Sequence, residues 1–218
     1  MKIAFLGDSI TLGYGLAAPA ERYATLVSRA LGAEEKNLGI TGTLVARAGL
    51  NRSDERSFLD RLPLIEGADV AVIFGGTNDY FWSDRPIYPP EGDTGTDYFY
   101  NAMTAICKEL TTRYRHIRAF LVTPYPHHGV GNFVGGAHFK DASEHDTDEK
   151  SFNGQVLRDY ADAIVRLGCE YGIPVLNLFL PSAFDWRIHT SDGCHPNTEG
   201  HRILAELVAS FLKRELAL

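Results

Sequence analysis

The chain has few cysteines. Its 218 residues include three, Cys107, Cys169 and Cys194, and none belongs to a C-x-x-C pair. An odd number of cysteines at such spacing argues against the disulfide framework of a small secreted protein and against the paired thiolates of a zinc ribbon. We therefore expect reduced thiols and a cytoplasmic location.

Long hydrophobic runs and an excess of positive charge are also missing. No apolar stretch approaches the ~20 residues of a membrane span, and the short apolar run after Lys2 ends at Asp8, unlike a signal peptide. Lysine and arginine number 21 against 28 aspartates and glutamates, a net charge of -7. This balance, without a long basic run, predicts neither a membrane span nor a nucleic-acid partner.

Several nucleotide and hydrolase signatures are absent as well. Neither G-x-G-x-x-G nor the P-loop pattern occurs where a phosphate-binding turn is expected, and "GYG" at 13–15 lacks the third glycine at the required spacing. The chain also lacks G-x-S-x-G, the nucleophile turn of α/β-hydrolases. These absences argue against a nucleotide-binding domain of flavodoxin type.

What is present is the composition of an ordinary globular protein, with 44% hydrophobic and 22% charged residues. A chain of this length suits one large domain, and we find no internal repeat, low-complexity tract or linker. We therefore expect a single domain over residues 1–218.

Short apolar runs alternate with longer amphipathic ones along the chain. The predicted strands are Lys2–Leu6, Glu35–Leu38, Asp69–Phe74, Ile117–Val122 and Pro174–Leu178. Helical spacing of apolar residues predicts helices over Phe152–Gly168 and after Asn197, a residue suited to capping the last helix. Such alternation predicts a parallel sheet covered on both faces, with ligands bound beyond the carboxyl ends of the strands.

Polar, glycine-flanked turns follow two of these strands. Ser9 comes directly after the first strand, and "GGTND" at Gly75–Asp79 follows the third. Two long connections, Tyr80–Gly95 and Pro124–Asp148, have the length typical of binding loops, although a surface insertion is the alternative reading.

A carboxylate and an imidazole stand together ahead of the last helix. Asp192 and His195 are three residues apart, which in a turn lets the carboxylate bond one ring nitrogen and leaves the other free. This is the orienting half of a catalytic triad, and Ser9 is the candidate nucleophile. Taken singly, each of the three residues could instead belong to an ordinary turn, as could Asn78.

Together these residues give the chain a resemblance to the SGNH (GDSL-like) hydrolases. Four segments match the family's motifs in order: "GDSIT" at Gly7–Thr11, "NLGITG" at Asn37–Gly42, "GGTND" at Gly75–Asp79 and "DGCH" at Asp192–His195. The fold that we expect is a flavodoxin-like three-layer α/β/α sandwich with a central five-stranded parallel sheet in the order 2-1-3-4-5.

The resemblance also implies a role for each matching residue. Ser9 would be the nucleophile, His195 the general base and Asp192 the residue that orients it. The oxyanion hole would consist of the backbone N–H groups of Ser9 and Gly42 and the side-chain amide of Asn78. Neutral donors of this kind can converge on the negative oxygen of a tetrahedral intermediate.

Three other residues of the matching segments would have structural roles. Gly39 would shape the turn before Gly42, although either glycine could supply the second backbone amide. Asp8 and Asp79 would bond nearby backbone amides in their own turns.

The predicted function is that of a serine esterase. It would hydrolyse a carboxylic ester, such as a small acyl or acetyl ester of a sugar, through an acyl-enzyme intermediate and without a cofactor. A lysophospholipase or thioesterase of the same fold, or a non-catalytic ligand-binding domain, are the alternatives. Phe81, Trp82 and Tyr88 are the candidate substrate-binding residues, because their loop begins next to Asn78.

We expect a small-molecule ester as the partner, and nothing in the sequence specifies an oligomeric state. We also expect no metal, since the spacing of the histidines and aspartates in the second long loop fits no metal-binding motif. These histidines and aspartates are His127, His128, His138, Asp141, His145 and Asp146.

Overall fold

A computed structural model describes residues 1–47, 56–127, 150–151, 153–180 and 183–218. A five-stranded parallel sheet lies at its centre, in the order β2-β1-β3-β4-β5. The strands are β1 (Lys2–Gly7), β2 (Glu34–Gly39), β3 (Val70–Phe74), β4 (Arg118–Val122) and β5 (Val175–Leu176). The predicted strand order is confirmed, and each predicted strand end lies within two residues of the observed one.

Helices cover both faces of the sheet and complete the three-layer α/β/α fold. They are α1 (Ser9–Leu12), α2 (Tyr23–Ala30), α3 (Phe58–Arg61), α4 (Thr77–Trp82), α5 (Phe99–Thr111), α6 (Leu157–Tyr171), α7 (Trp186–His189) and α8 (Thr198–Leu216). Short 3₁₀ turns lie at Pro19–Glu21 and Leu62–Ile65.

Two hydrophobic clusters, one on each face, hold the layers together. Alternate residues of the central strands point to opposite faces, so Leu6 and Ile73 pack with α5 and α6, whereas Phe5 and Val72 pack with α2 and α8. Because both faces are buried, β1 and β3 carry apolar residues at successive positions rather than alternating ones.

The register of the central strands brings three loops to one edge. Gly7 at the end of β1 lies opposite Gly39 at the end of β2 and opposite Phe74 at the end of β3. The segments that follow these strands therefore leave the sheet at the same level.

Two predicted boundaries were wrong. Residues 77–82, which include the first part of the predicted Tyr80–Gly95 loop, form helix α4, which begins after Gly76 in a left-handed conformation with φ 110°. Helix α6 begins at Leu157 rather than at residue 152 and continues past Gly168 to Tyr171, where Gly172 ends it with φ 65°. Of the second predicted loop, only residues 124–127 belong to the part of the chain described.

No helix among the described residues is long and apolar enough to cross a membrane.

Gly168 provides a test of how closely α6 packs on β5. A methyl group at this position would lie 2.1 Å from Val175 Cγ2 and 2.9 Å from the Ile173 carbonyl oxygen. We predict that Gly168→Ala lowers the free energy of unfolding by about 1–3 kcal/mol, the usual cost of overpacking, although alanine is the better helix former. Thermal and urea unfolding measure this loss of stability. Adding Val175→Ala to the Gly168→Ala protein should recover part of it. A more stable Gly168→Ala would contradict this packing.

Candidate active site

Ser9 is the first residue of α1, immediately beyond the end of β1. Asp8 caps this short helix, its carboxylate accepting a hydrogen bond from the Ile10 backbone N–H at 2.9 Å. A side chain at Gly7 would meet the Thr11 hydroxyl at 1.9 Å, so only glycine permits the turn to fold back so tightly. The result is a sharp strand-to-helix turn that presents the Ser9 side chain at the edge of the sheet.

The structure brings Ser9, Asp192 and His195 together. The Ser9 hydroxyl lies 3.0 Å from His195 Nε2, and His195 Nδ1 lies 2.7 Å from an Asp192 carboxylate oxygen. These two distances place Ser9 and Asp192 on opposite nitrogens of one imidazole, although Ser9 and His195 are 186 residues apart in sequence.

The carboxylate of Asp192 also organises the turn that carries His195. Its other oxygen accepts the backbone N–H groups of Cys194 at 3.0 Å and His195 at 2.7 Å. Partial burial alone would raise the pKa of Asp192, but the bonds from the His195 ring and from these two amides lower the pKa to about 2. Asp192 is thus ionised at neutral pH. The buried Tyr125 hydroxyl donates to the Cys194 carbonyl at 2.6 Å and fixes the same turn from below.

Three groups predicted to donate to an oxyanion lie in the segments that follow β1, β2 and β3: Ser9 begins α1, Gly42 lies in the turn after β2, and Asn78 lies in the first turn of α4. Among the described residues, nothing accepts a hydrogen bond from the backbone N–H of Ser9 or of Gly42. The Asn78 side-chain amide donates one N–H to the Thr43 carbonyl at 3.2 Å, which leaves its second N–H. Gly42 adopts φ 74°, a conformation that favours glycine.

Gly39 has a different environment from Gly42. Its backbone N–H donates to the Asn37 side chain at 2.9 Å. A methyl group on Gly39 would lie 2.3 Å from the Leu12 backbone nitrogen, so α1 packs directly on the bare backbone of β2. The Gly39 amide thus has an acceptor and Gly39 packs against α1, whereas the Gly42 amide has no acceptor among the described residues.

Two buried carboxyl groups, those of Asp8 and Asp79, lie next to Ser9 and Asn78 in the chain. Burial raises the pKa of Asp8 to about 6 and that of Asp79 to about 7, and backbone N–H bonds to each carboxyl oppose the shift. Asp8 bonds within its own turn, as predicted. Asp79 also accepts backbone amides, those of Val45 at 2.8 Å and Ala46 at 3.0 Å, which are distant from it in sequence. It therefore ties α4 to the segment after Gly42.

Sequence reasoning missed two residues of the site. The Tyr14 ring centroid lies 4.7 Å from that of His195, and Tyr14 is 47% exposed. The sequence signal that could have identified Tyr14 is its position close to Ser9 in the chain, in the middle of "GYG". The other is Arg61 in α3, which is 1% exposed. No sequence signal marks it, since arginine is rarely buried completely.

The predicted substrate-binding aromatic residues lie in different environments. Phe81 is buried against Tyr80 and His127 in the core, and Trp82 packs against the same hydrophobic cluster. Tyr88 is 43% exposed and contacts the Tyr100 ring at 4.9 Å. A direct role in substrate binding is least supported for Phe81, whose ring is in the core.

The cysteines and the described histidine of the second long loop lie in the following environments. Cys107, Cys169 and Cys194 are free thiols, the first and last of them buried. His127 is buried and contacts the ring of Tyr125. The other five residues of the His-rich segment lie outside the described residues, and the described ones include no group of three metal-ligating side chains.

Solved structures share this fold over nearly the whole chain. A protein from Lactobacillus plantarum is 27% identical with a TM-score of 0.76, and the match covers 98% of this chain and 96% of the other. A possible lipase from Chitinophaga pinensis is 22% identical with a TM-score of 0.72, covering 100% and 99%. A carbohydrate acetylesterase family member from Sinorhizobium meliloti is 20% identical with a TM-score of 0.67, covering all of both chains. No curated protein matches the sequence.

The family model of the GDSL-like lipases and acylhydrolases matches residues 5–203, which include every segment of the site described above. The chain thus belongs to the GDSL-like Lipase/Acylhydrolase family and is an ester hydrolase of the esterase and lipase type.

Proposed function

We propose that the protein is a serine esterase that acts through an acyl-enzyme intermediate. The observation that carries this proposal is the continuous chain from the Ser9 hydroxyl through His195 to Asp192, with distances of 3.0 and 2.7 Å. Asp192 holds the proton of His195 on Nδ1, so Nε2 has a lone pair toward Ser9.

In the acylation step, Ser9 Oγ attacks the ester carbonyl carbon and its proton passes to His195 Nε2. The tetrahedral intermediate then expels the alcohol, which takes that proton from Nε2. In the second step, a water molecule attacks the acyl group while Nε2 accepts its proton, and Ser9 leaves with the proton restored. The ionised Asp192 stabilises the imidazolium in both steps.

The negative oxygen of each intermediate needs donors that are fixed beforehand. The Ser9 and Gly42 amides and the second N–H of Asn78 are the candidates, because no described residue accepts a bond from the two amides. Removing one such donor typically lowers turnover by roughly 10²–10³-fold.

For the substrate we propose a small acyl ester, such as an acetyl ester, of a carbohydrate. His195 donates its proton to the departing alcohol, so a side chain packed on His195 borders the path of that alcohol. Tyr14 packs on His195 and offers an exposed aromatic face, a surface that suits the apolar face of a sugar ring. A lysophospholipase or thioesterase is the alternative and would favour long acyl chains over acetyl.

The proposal also includes a cytoplasmic location and aromatic residues in the substrate pocket. The three free thiols support a cytoplasmic location. Trp82 and Tyr88 remain candidates for the substrate pocket, with Tyr14 added.

The nucleophile is tested first. We predict that Ser9→Ala reduces hydrolysis of p-nitrophenyl acetate by roughly 10³-fold or more, because removing the nucleophile of a triad costs at least that much. Ser210→Ala, an exposed serine of α8, is the matched control and should retain full activity. A fluorophosphonate should label the wild type at Ser9 and leave Ser9→Ala unlabelled. Labelling at another serine would contradict the assignment.

The second prediction concerns Asp192 and pH. A carboxyl whose pKa is lowered on folding stabilises the protein above its unfolded pKa of about 4, and this stabilisation is lost as the pH falls towards the folded value of about 2. Asp192→Asn should therefore cost about 1–2 kcal/mol at pH 7, with allowance for partial exposure. In urea unfolding, the difference from wild type should shrink below pH 4. A difference that grows in acid would refute this reading.

The third prediction concerns Tyr14. Tyr14→Ala should lower kcat/KM for an acetylated sugar about 5-fold more than kcat/KM for ethyl acetate, the loss expected when one aromatic contact of about 1 kcal/mol disappears. Tyr14→Phe keeps the ring and should retain the wild-type ratio. An equal fall on both esters in Tyr14→Ala would mean that the ring does not contact the alcohol.

A further inference from the structure

Arg61 is a fully buried arginine at the end of α3, and its guanidinium lies below the carboxyl edge of the sheet. It donates to the Gly7 carbonyl at 3.1 Å and to the Leu38 carbonyl, the ends of β1 and β2. It also donates to the Thr43 hydroxyl at 2.8 Å, and its Nε donates to the Arg56 carbonyl at 3.1 Å. One planar cation thus joins three segments that are distant in sequence.

Two of these acceptors, Gly7 and Thr43, lie close in sequence to candidate oxyanion donors. Gly7 is two residues before Ser9, whose amide begins α1. Thr43 directly follows Gly42, and the Thr43 hydroxyl donates in turn to the Ile40 carbonyl at 2.9 Å, which closes the turn containing Gly42. The Thr43 carbonyl accepts the Asn78 amide at 3.2 Å and so sets the orientation of that side chain.

We propose that Arg61 is a positioning residue that aligns all three donors of the oxyanion hole from beneath, without contacting substrate. This inference rests on the proposed esterase function. The guanidinium holds the ends of β1 and β2 at a fixed separation, which fixes the Ser9 amide relative to the Gly42 turn. Through Thr43 it also fixes Asn78.

Arginine suits this position better than lysine. Its five N–H donors have a fixed planar geometry, so bonds to Gly7, Leu38 and Thr43 are held in a definite relation. An ammonium group is compact and flexible, and it would not span the same acceptors with that geometry. A shift of about 1 Å in a catalytic group can lower the rate about 10²-fold, so small errors in this support should affect turnover strongly.

Substitutions at Thr43 test the proposal without removing the buried charge. Thr43→Val keeps the shape of the side chain and the backbone carbonyl but removes the hydroxyl that Arg61 and Ile40 share. We expect kcat for p-nitrophenyl acetate to fall about 10-fold, with KM within 2-fold of wild type. Thr43→Ser keeps the hydroxyl and is the matched control, with kcat within 2-fold of wild type.

Substitutions at Arg61 test it directly. In Arg61→Lys we expect kcat to fall 10- to 100-fold with little change in KM. In Arg61→Ala we expect guanidinium chloride at low millimolar concentration to restore part of the lost kcat, whereas equal sodium chloride should not. If either Arg61 variant fails to fold, the comparison of Thr43→Val with Thr43→Ser tests the proposal instead.

A tetrahedral inhibitor separates positioning from general loss of structure. Phenylboronic acid forms a tetrahedral adduct with a nucleophilic serine and places an oxygen in the oxyanion hole. If Arg61 acts through the oxyanion hole, the inhibition constant of phenylboronic acid should rise in Thr43→Val by the same factor as kcat falls. The proposal is overturned if folded Thr43→Val or Arg61→Lys retains wild-type kcat, or if kcat falls while the inhibition constant is unchanged.

The same experiment distinguishes a failure of this inference from a failure of the proposed function. A wild-type protein that hydrolyses no ester, or whose hydrolysis survives Ser9→Ala, contradicts the esterase itself. A wild-type esterase that depends on Ser9 but tolerates the Thr43 and Arg61 substitutions contradicts only the role of Arg61.

Discussion

Parallel pairing of β1 with both of its neighbours determines where the Ser9, Gly42 and Asn78 segments can lie. Gly7 pairs with Gly39 on one side and with Phe74 on the other, so three loops leave the sheet at one level. The segments that follow the three strands carry Ser9, Gly42 and Asn78, which are distant in sequence. A shift of one residue in this register would turn every side chain of the shifted strand to the opposite face and separate these groups. Because each face of the central strands packs in its own hydrophobic cluster, such a shift would place each apolar side chain against the wrong cluster, and the core thereby fixes the site.

Three buried ionisable groups lie beneath this edge. Asp8, Arg61 and Asp79 are each at most 2% exposed. A buried ionisable group is costly unless hydrogen bonds compensate it, and each of these groups bonds the backbone. Asp8 bonds within its own turn, whereas the bonds of Asp79 and Arg61 connect segments that are distant in sequence. The same arrangement has an electrostatic effect, since the positive charge of Arg61 lowers the pKa of Asp8 against the stronger effect of burial.

Regular features of the fold and of the site could be predicted from the sequence. The five strands, their order and the approach of Ser9 to Asp192 and His195 follow from periodic patterns and short motifs, which reflect local backbone requirements. Arg61 could not be predicted, because its burial depends on acceptors in β1, β2 and the Gly42 turn that meet only in the folded chain. Helix α4 was missed because an apolar segment after glycines and before prolines resembles a loop, whereas packing of Phe81 in the core favours the helix. The contact of Tyr14 with His195 likewise depends on tertiary structure.

The central claim is that the loops after β1, β2 and β3 present three donors to one oxygen atom. A crystal structure of the Ser9 adduct with phenylboronic acid tests it most directly. The account predicts one boronate oxygen within about 3 Å of the Ser9 amide, the Gly42 amide and Asn78 Nδ2, with the Arg61 guanidinium still bonded to Gly7, Leu38 and Thr43. A boronate oxygen that instead faces solvent, or that bonds the Gly39 amide after the loop has rearranged, would contradict the account.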